Sequence, residues 1–432
     1  MDFAKNLLGG NDVLRVLRVK PFLFITFAEF CAQLAFNMQH FVLIFIIYGA
    51  THSNTAVSGM ILSFMVPAVL LSVVAGVYVD RWNKKKILVY SHFIRAMLLL
   101  PFLIPNLHLG LIYLLTFLIA VVTQFFIPAE SSIIPSLVPR KFIISANAVF
   151  SFSLYGSMLI GYILSGPLLL FFGKTNTIIF LISLFLISTL IVAGIKFANK
   201  KKETTETLMP RENYSIAREA HEVFLFIRKA RKVMHALLLL TIAQAVIFMF
   251  AVLAPGYVTT ILEAPLETLS VILIAPAGLG LGIGAFLLGS MGRRIKNKWI
   301  SAVGFMVVGI VFVLMPLASR VASYGFVHSL NLILPQIIHI NILHIIVFMA
   351  FVLGFAISLV FIPSNATIQI ETNEAMRGRM YGLLSSLIGA VSFLPVILAG
   401  GLADLLGVGA VITGVGIMMI ALSLYYLFLI KL

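Results

Sequence analysis

The chain has 432 residues, of which 61% are hydrophobic and only 10% are charged, and its mean hydropathy is +1.12. About a quarter of the residues of a soluble protein are charged, so this composition excludes a water-soluble enzyme, a disordered protein and a secreted module. The single cysteine, Cys31, excludes an intrachain disulfide bond and a cluster of thiolate metal ligands. We therefore expect an integral membrane protein.

Twelve apolar segments are long enough to cross a bilayer, whose hydrocarbon core needs about 20 helical residues. Their limits are 22–48, 56–79, 87–105, 109–129, 145–170, 176–197, 235–257, 267–290, 299–317, 342–363, 379–402 and 408–430. The segments are continuously apolar and lack the short alternating pattern of membrane barrel strands. The sequence therefore predicts an all-α integral membrane protein with 12 transmembrane helices.

The lysines and arginines lie almost entirely on one side of this topology. If the N-terminus is cytoplasmic, 27 of the 30 lie in inner segments, and only Lys174 and Arg320 lie in outer ones. This bias predicts a multi-pass protein of the cell (inner or plasma) membrane with both termini in the cytoplasm. The net charge of +15 then follows from the topology and from attraction to anionic membrane lipid, so we expect no nucleic-acid partner.

One long polar segment divides the chain into two halves. We predict an N-terminal six-helix bundle over 1–197, a cytoplasmic linker over 198–234 and a C-terminal six-helix bundle over 235–432. From Ser215 the linker has the pattern of an amphipathic helix on the membrane surface, and a solvated charged connector is the alternative. Phe-Ile-Pro ends both the fourth span, at Pro128, and the tenth, at Pro363. Such pseudo-symmetric halves are typical of transporters.

A glycine, an acid and several bases follow one another at the inner end of the second span. Gly76, Asp80, Arg81, Lys84 and Lys85 form the pattern G-x-x-x-D-R-x-x-K-K, which resembles the signature between spans two and three of the major facilitator superfamily. The resemblance implies the two-bundle fold of that superfamily. It also implies that the acid and its neighbouring bases form a cytoplasmic latch, or gate, between the two bundles.

The latch partner implied by the resemblance is the start of span eleven, beside Arg377 and Arg379. The N-terminus of that helix would stabilise Asp80 through the helix dipole. Asn83 stands where the family usually has glycine, and we expect it to be tolerated because asparagine also adopts left-handed turn conformations. We group Arg95, which lies within the third span, with this motif.

Further segments narrow the resemblance to the drug and siderophore exporter branch, which includes macrolide-efflux proteins and the enterobactin exporter. These segments are 126–130, 135–139, 376–382 and 400–404. Two positions depart from the pattern of the branch. His92 stands where the branch often has an acid, and Glu29 stands where it often has glutamine.

Glu29 is the only one of the 15 acids that lies well within a predicted span. Gln33 and Asn37 follow at i+4 and i+8 and share its helix face, which we expect to line a cavity. A carboxyl group in such a low-dielectric setting is suited to take up and release a proton at physiological pH. The alternatives are a glutamate that reaches the interface or pairs with Arg95, and one that only joins helices through a hydrogen bond.

Four further polar side chains lie at membrane depth: Thr123 and Gln124 in span four, Gln244 in span seven and Ser358 in span ten. Spans one, four, seven and ten line the cavity in the family that the motif resembles, so the resemblance implies a lining role for these residues. A hydrogen bond between helices is the more frequent role of any one such residue.

These observations predict a secondary transporter rather than an enzyme. The sequence has no phosphate-binding loop, acyl-transfer triad or metal-ligand cluster, and we expect no cofactor. The preferred hypothesis is proton-coupled export of hydrophobic or amphipathic small molecules by alternating access, and we expect a monomer. The alternatives are coupling to another ion, import or lipid transport by the same fold, and a non-transporting membrane sensor or scaffold.

Overall fold

The computed structural model describes residues 12–139, 142–195, 230–291, 297–321, 341–372 and 374–429. Within these ranges every regular element is helical and there is no strand. Helices form because apolar segments in lipid must satisfy their backbone N–H and C=O groups internally. The predicted all-α class is confirmed.

The first half begins with a short helix at Asp12–Leu17. It continues with α1 Lys20–Thr51, α2 Asn54–Arg81, α3 Lys84–Leu99, α4 Leu109–Leu137 and the long segment Ile143–Gly194. Gly173 interrupts that last segment with a φ of 72°, a left-handed value that glycine adopts without strain. We label the parts before and after Gly173 α5 and α6.

The second half has six helices. They are α7 Arg231–Gly256, α8 Ala275–Met291, α9 Asn297–Val321, α10 Ile342–Glu371, α11 Glu374–Leu406 and α12 Val408–Leu429. A π-helical turn at Tyr257–Ile261 extends α7, and another at Ser270–Ile274 precedes α8. With α5 and α6 counted separately, the described ranges contain the twelve membrane-length segments that the sequence predicts.

The helices pack as two bundles, as predicted. In the first bundle α1 packs against α5 and α6, and α2 and α3 pack against α4; in the second, α10 packs against α7, α8 and α9. We call the end where α1 begins and α12 ends the terminal face. The opposite end, which contains the turns at His52 and Gly407, is the far face.

The bundles meet along α2 and α11 and along α5 and the start of α8. Small residues permit this close approach, because a β-carbon at Gly400 of α11 would lie 2.7 Å from the backbone oxygen of Asn54. We call the contact between residues 53–58 and 396–404 the far-face seam. It joins the two bundles at the end opposite the chain termini.

Several helices run beyond their predicted limits. The limits were placed where apolar runs stop, whereas a helix continues for as long as its backbone hydrogen bonds are made. Thus α4 ends at Leu137 rather than near 129, and α10 ends at Glu371 rather than near 363. The extension of α4 brings one more acid, Glu130, into a membrane helix.

The expected conformation of Asn83 was wrong. Its φ of −71° and ψ of 108° are extended rather than left-handed. Its side chain accepts a hydrogen bond from the backbone N–H of Lys86 at 3.2 Å, so Asn83 is the N-cap of α3. Helix capping therefore explains an asparagine at this position.

The predicted linker lies largely outside the described residues, which resume just before α7 at Arg231. Its amphipathic helix and the domain limits at 197 and 235 therefore stay predictions.

Candidate functional site

Four ionisable side chains from three helices meet inside the first bundle. They are Glu29 of α1, His92 and Arg95 of α3, and Glu130 of α4, and we call them the charged cluster. Their exposed fractions are 0%, 0%, 1% and 6%. His92 and Arg95 share a helix face because they are three residues apart. Buried charges in a membrane protein are costly and mark functional sites by default.

Arg95 is held by both polar and aromatic contacts. Its Nη2 donates to Thr123 Oγ1 at 3.1 Å. The guanidinium carbon lies 4.3 Å from the ring centre of Phe126 and 5.2 Å from that of Phe36, distances at which the faces of the rings stabilise a cation. Because a guanidinium group does not lose its proton in proteins, Arg95 is a fixed positive charge.

The two carboxyl groups of the cluster have different surroundings. Glu130 Oε1 accepts a hydrogen bond from Gln33 Nε2 at 3.4 Å. Glu29 Oε1 lies 3.5 Å from His92 Nε2. Gln33 follows Glu29 by one helical turn, so its hydrogen bond to Glu130 places the two carboxyl groups next to each other. The cluster is therefore a contiguous set of proton-binding groups beside one permanent cation.

Several buried atoms of the cluster have unmet hydrogen-bonding capacity. Within the described residues, both carboxyl oxygens of Glu29, both ring nitrogens of His92 and Nε of Arg95 have no hydrogen-bond partner. More than nine in ten buried polar groups in folded proteins have such a partner, so an exception needs an explanation. A group that changes its protonation during a reaction cycle provides one.

Only some of the predicted cavity residues join this cluster. Glu29, Gln33 and Thr123 do, as described. Asn37 Nδ2 donates to Gln33 O of its own helix at 2.7 Å, and Gln124 Nε2 donates to Ala120 O of its own helix at 3.3 Å. Both amides thus bond within their helices.

The two predicted residues of the second bundle lie apart from the cluster. Ser358 of α10 is fully buried and donates to Phe355 O at 2.7 Å, and it faces Gly284 of α8. It therefore belongs to a packing contact within its own bundle. Gln244 is half-buried on α7, and no described hydrogen bond joins it to the cluster.

Two grooves lie at the sides of the molecule. One, of about 430 Å³, lies between the start of α1 and the end of α6 and is lined by Lys20, Pro21, Phe24, Leu190, Ile191, Gly194 and Ile195. The other, of about 300 Å³, lies between α5 and the segment before α8 and includes Phe171 and Glu267. Neither groove contains a predicted cavity residue, so the central cavity stays a prediction.

Glu130 and His92 were missed as site residues. The predicted fourth span stopped at 129, which placed Glu130 outside the membrane, and His92 was read only as a departure from the family pattern. The helical spacing of these residues could have indicated both. Glu130 follows Thr123 by seven residues and therefore lies on the same helix face. His92 is likewise three residues before Arg95.

The predicted cytoplasmic latch is only partly described. The backbone places Gly76, Asp80 and Arg81 in the last turns of α2 and Arg377 and Arg379 in the first turns of α11, and the side chains of these five lie outside the described residues. Lys84 begins α3. Lys85 Nζ donates to Ala193 O at 2.7 Å, near the end of α6, where a cation complements the helix dipole.

Arg95 does not lie with this motif. It is 11 residues from the start of α3, about 16 Å along the helix. Its contacts are with the charged cluster, because the guanidinium is buried against Thr123 and Phe126. We therefore correct its grouping from the latch to the cluster.

Asp404 joins the two bundles at the far face. Its Oδ1 accepts from the backbone N of Asn54 at 2.8 Å and from Asn54 Nδ2 at 3.0 Å. Its Oδ2 accepts from Ser53 Oγ at 2.6 Å and from Thr55 N and Oγ1 at 3.0 and 2.7 Å. The carboxylate thus lies at the positive N-terminus of α2 and stabilises closure of the far face.

A profile of the Major Facilitator Superfamily matches residues 25–337. The chain belongs to the major facilitator superfamily. It is also similar to two MFS-type transporters of Bacillus subtilis (strain 168), both named as uncharacterized. YfmI is 22% identical over 412 residues, which cover 94% of this chain and 95% of that protein. YvqJ is 26% identical over 418 residues, which cover 92% of this chain and 88% of that protein.

Solved structures of this superfamily have the same fold. A mutant of the nucleoside transporter NupG aligns with a TM-score of 0.72 at 12% identity, covering 96% of this chain and 100% of that chain. An inward-facing, occupied bacterial homologue of the human lysosomal transporter Spinster aligns with a TM-score of 0.70 at 12% identity, covering 95% and 96% of the two chains. At this identity the likeness shows the fold alone.

The superfamily and the two relatives establish the general activity. This chain is a multi-pass membrane transporter of a small molecule and not an enzyme. The names of the relatives do not specify the drug and siderophore exporter branch, the direction of transport or the coupling ion. Those assignments stay proposals.

Proposed function

We propose that this superfamily member is a proton-coupled exporter of hydrophobic or amphipathic small molecules. It acts as a monomer in the plasma membrane, with both termini in the cytoplasm. The observation that carries the proposal is the charged cluster, which places two carboxyl groups beside one fixed cation inside a membrane bundle. No other charged side chain of the described spans is buried in this way.

Proton coupling follows from the chemistry of that cluster. An ionised carboxylate needs hydrogen-bond donors or a countercharge, and Glu29 has no donor within the described residues other than a protonated Glu130. Protonation removes this cost, so the stability of each conformation depends on whether the cluster holds its proton. A pH difference across the membrane then biases alternating access, because the two conformations bind the proton differently.

The bundle contacts fit one state of such a cycle. The far-face seam and the Tyr48 Oη to Thr259 Oγ1 contact of 3.0 Å join the bundles at the far face. If the termini are cytoplasmic, this is a state closed to the outside. We propose that the latch of Gly76, Asp80 and Arg81 with the start of α11 closes the other side in the alternate state.

The buried side chains of the second bundle favour an apolar substrate. Among its described residues, the fully buried polar side chains are all hydroxyls, such as Thr241, Ser270 and Ser392. A sugar or another polyhydroxylated solute needs many hydrogen-bond partners, whereas an amphipathic molecule needs few. The resemblance of residues 126–130 and 400–404 to the drug and siderophore exporters points the same way.

The test uses the full-length protein in liposomes with an acidic lumen and the membrane potential clamped to zero. An antiporter moves substrate toward the acidic side whichever way the protein is inserted. The probes are ethidium, a permanent cation, and chloramphenicol, a neutral amphipathic molecule. Accumulation of either probe in the lumen, abolished by a protonophore, supports the proposal. Depletion from the lumen, which indicates co-transport, or no gradient-dependent movement of either probe contradicts it.

A further inference from the structure

We propose that Glu29 and Glu130 share a single exchangeable proton, so that Glu130 is a second proton carrier and each transport cycle moves one proton. This inference rests on the proposed proton coupling and deepens it. The observation behind it is the composition of the charged cluster. Gln33, one helical turn after Glu29, donates to Glu130 at 3.4 Å, so two neighbouring carboxyl groups accompany one arginine.

The charge balance of the cluster sets the number of protons. Glu29 faces His92 and Arg95 on α3 and Glu130 on α4. From α6, the Ser188 hydroxyl donates to Ala28 O, next to Glu29 in the chain, at 2.8 Å, and this hydroxyl does not titrate. With both carboxyl groups ionised the cluster has a net charge of −1, and with one proton bound it is neutral.

Burial makes the neutral state the stable one. An uncompensated charge is unfavourable in a low-dielectric interior, and all four residues of the cluster are at most 6% exposed. A second proton would produce the opposite excess charge at the same cost. Two like carboxyl groups this close titrate as a pair rather than independently.

His92 does not alter this count. A protonated imidazole would place a second cation next to Arg95 without a further anion. The ring instead packs against Phe126, with 5.2 Å between ring centres, and its Nε2 lies 3.5 Å from Glu29. As a neutral imidazole, His92 leaves the cluster with one dissociable proton.

The hydrogen bonds allow the proton to reside on either carboxyl group. Gln33 donates to Glu130 and stabilises its ionised form. A protonated Glu130 can donate to Glu29, which has no other donor within the described residues. One of the two carboxyl groups therefore holds the proton, and the negative charge of the other balances Arg95. When the proton moves between Glu29 and Glu130, the negative charge moves the opposite way and Arg95 stays cationic.

Glu130 is also the better placed of the two to exchange the proton with solution. Its exposed fraction is 6%, against 0% for Glu29, and its partner Gln33 is only half-buried. We therefore place the entry of the proton at Glu130 and the inner end of its path at Glu29.

The test is pH-induced infrared difference spectroscopy of the full-length protein in liposomes, which detects the carbonyl band of a carboxyl group that loses its proton. The variants are E29Q, E130Q and the matched control E263Q, which alters an exposed acid at the far face. Each cluster variant leaves one carboxylate paired with Arg95. The band of the buried carboxyl should then disappear completely in either single variant and persist in E263Q.

Independent titration predicts a different pattern, in which each variant loses only its own band and keeps the other. That pattern, or a wild-type band that corresponds to two protons, would overturn the shared proton. The conservative variant E130D keeps a carboxyl group and should keep the band, which separates loss of the proton from loss of the fold.

The spectra need no substrate, so they separate this inference from the proposed function. If both cluster variants lose the band but the wild type moves neither ethidium nor chloramphenicol, the shared proton stands and the proposed function fails. If the wild type transports and E130Q retains full gradient-driven transport, the proposed function stands and the shared proton fails.

Discussion

Two carboxylates of this transporter, Asp404 and Glu29, lie in opposite environments. Asp404, at the far face, accepts five hydrogen bonds from residues 53–55 of the other bundle. Glu29, inside the first bundle, accepts none from a permanent donor within the described residues and is 0% exposed. The first carboxylate is stabilised in its ionised form, whereas the second lacks the donors that this form requires.

The two carboxylates serve two different requirements of alternating access, which are to hold the bundles together and to respond to a proton. A carboxylate saturated with donors holds two rigid bodies together and keeps its charge. A carboxyl group without donors changes its protonation instead, and the change alters the energy of the conformation that buries it. The predictions that follow perturb the cluster first and the far-face seam afterwards, in order of decreasing effect.

The largest effect is expected for Arg95→Met. Removing the only fixed cation leaves two buried carboxyl groups without a countercharge, which typically costs about 3–5 kcal/mol. Thermal unfolding in detergent at neutral pH measures the loss, and Arg231→Met, at an exposed arginine of α7, is the control. An Arg95→Met protein as stable as the control would show that the cluster is not held by this charge balance.

A smaller effect is expected for Asp404→Asn, because the seam is solvent-accessible and asparagine still accepts some of the hydrogen bonds. The loss of the charged bonds should weaken closure by about 1–2 kcal/mol, which favours opening of the far face. Cysteines introduced at the exposed positions Thr175 of α6 and Ala410 of α12 carry spin labels. The distance between the two labels reports the separation of the bundles.

Labelling is specific at those two positions because the native cysteine, Cys31, is buried. Asp404→Asn should add a population with a longer distance, whereas Glu263→Gln at the same face should not. An unchanged distance distribution in Asp404→Asn would mean that the seam does not depend on this carboxylate.

The smallest effect is expected for Ser58→Ala within the same seam. Ser58 Oγ donates to Val396 O of the other bundle at 2.8 Å, a neutral hydrogen bond worth about 0.5–1.5 kcal/mol. The control is Ser63→Ala, since Ser63 Oγ donates to Gly59 O of its own helix at 2.8 Å. The same spin-label pair should show a smaller shift for Ser58→Ala than for Asp404→Asn and none for Ser63→Ala. A larger shift than that of Asp404→Asn would reverse the ranking.

Much of this architecture follows from the sequence. Apolar runs and the distribution of lysine and arginine are local properties, so they predicted the twelve segments, the two bundles and the unusual position of Glu29. Glu130 escaped because an apolar run ends before the helix does, and α4 continues to Leu137. Asn83 was placed correctly at a helix boundary but with the wrong backbone conformation, since its role as an N-cap depends on the N–H of Lys86.

Contacts between residues far apart in the sequence could not be predicted from residue patterns and spacing. Asp404 lies in a segment that resembles the exporter branch, yet nothing in the sequence pairs it with residues 53–55, about 350 positions away. The meeting of Glu29 with His92 depends in the same way on where the first bundle places α1 and α3. Ser358 was predicted to line the cavity because it lies at membrane depth. Its position on α10 instead directs its side chain toward Gly284 of α8.

The most direct measurement of the central claim compares two modes of transport in liposomes containing the Glu29→Gln variant. The first is ethidium exchange at equal pH, which requires binding and alternating access only. The second is ethidium accumulation driven by an acidic lumen, which also requires proton movement. We predict that exchange persists while accumulation falls to the level of protein-free liposomes, and that Glu263→Gln retains both. Accumulation by Glu29→Gln equal to that of the wild type would contradict the account.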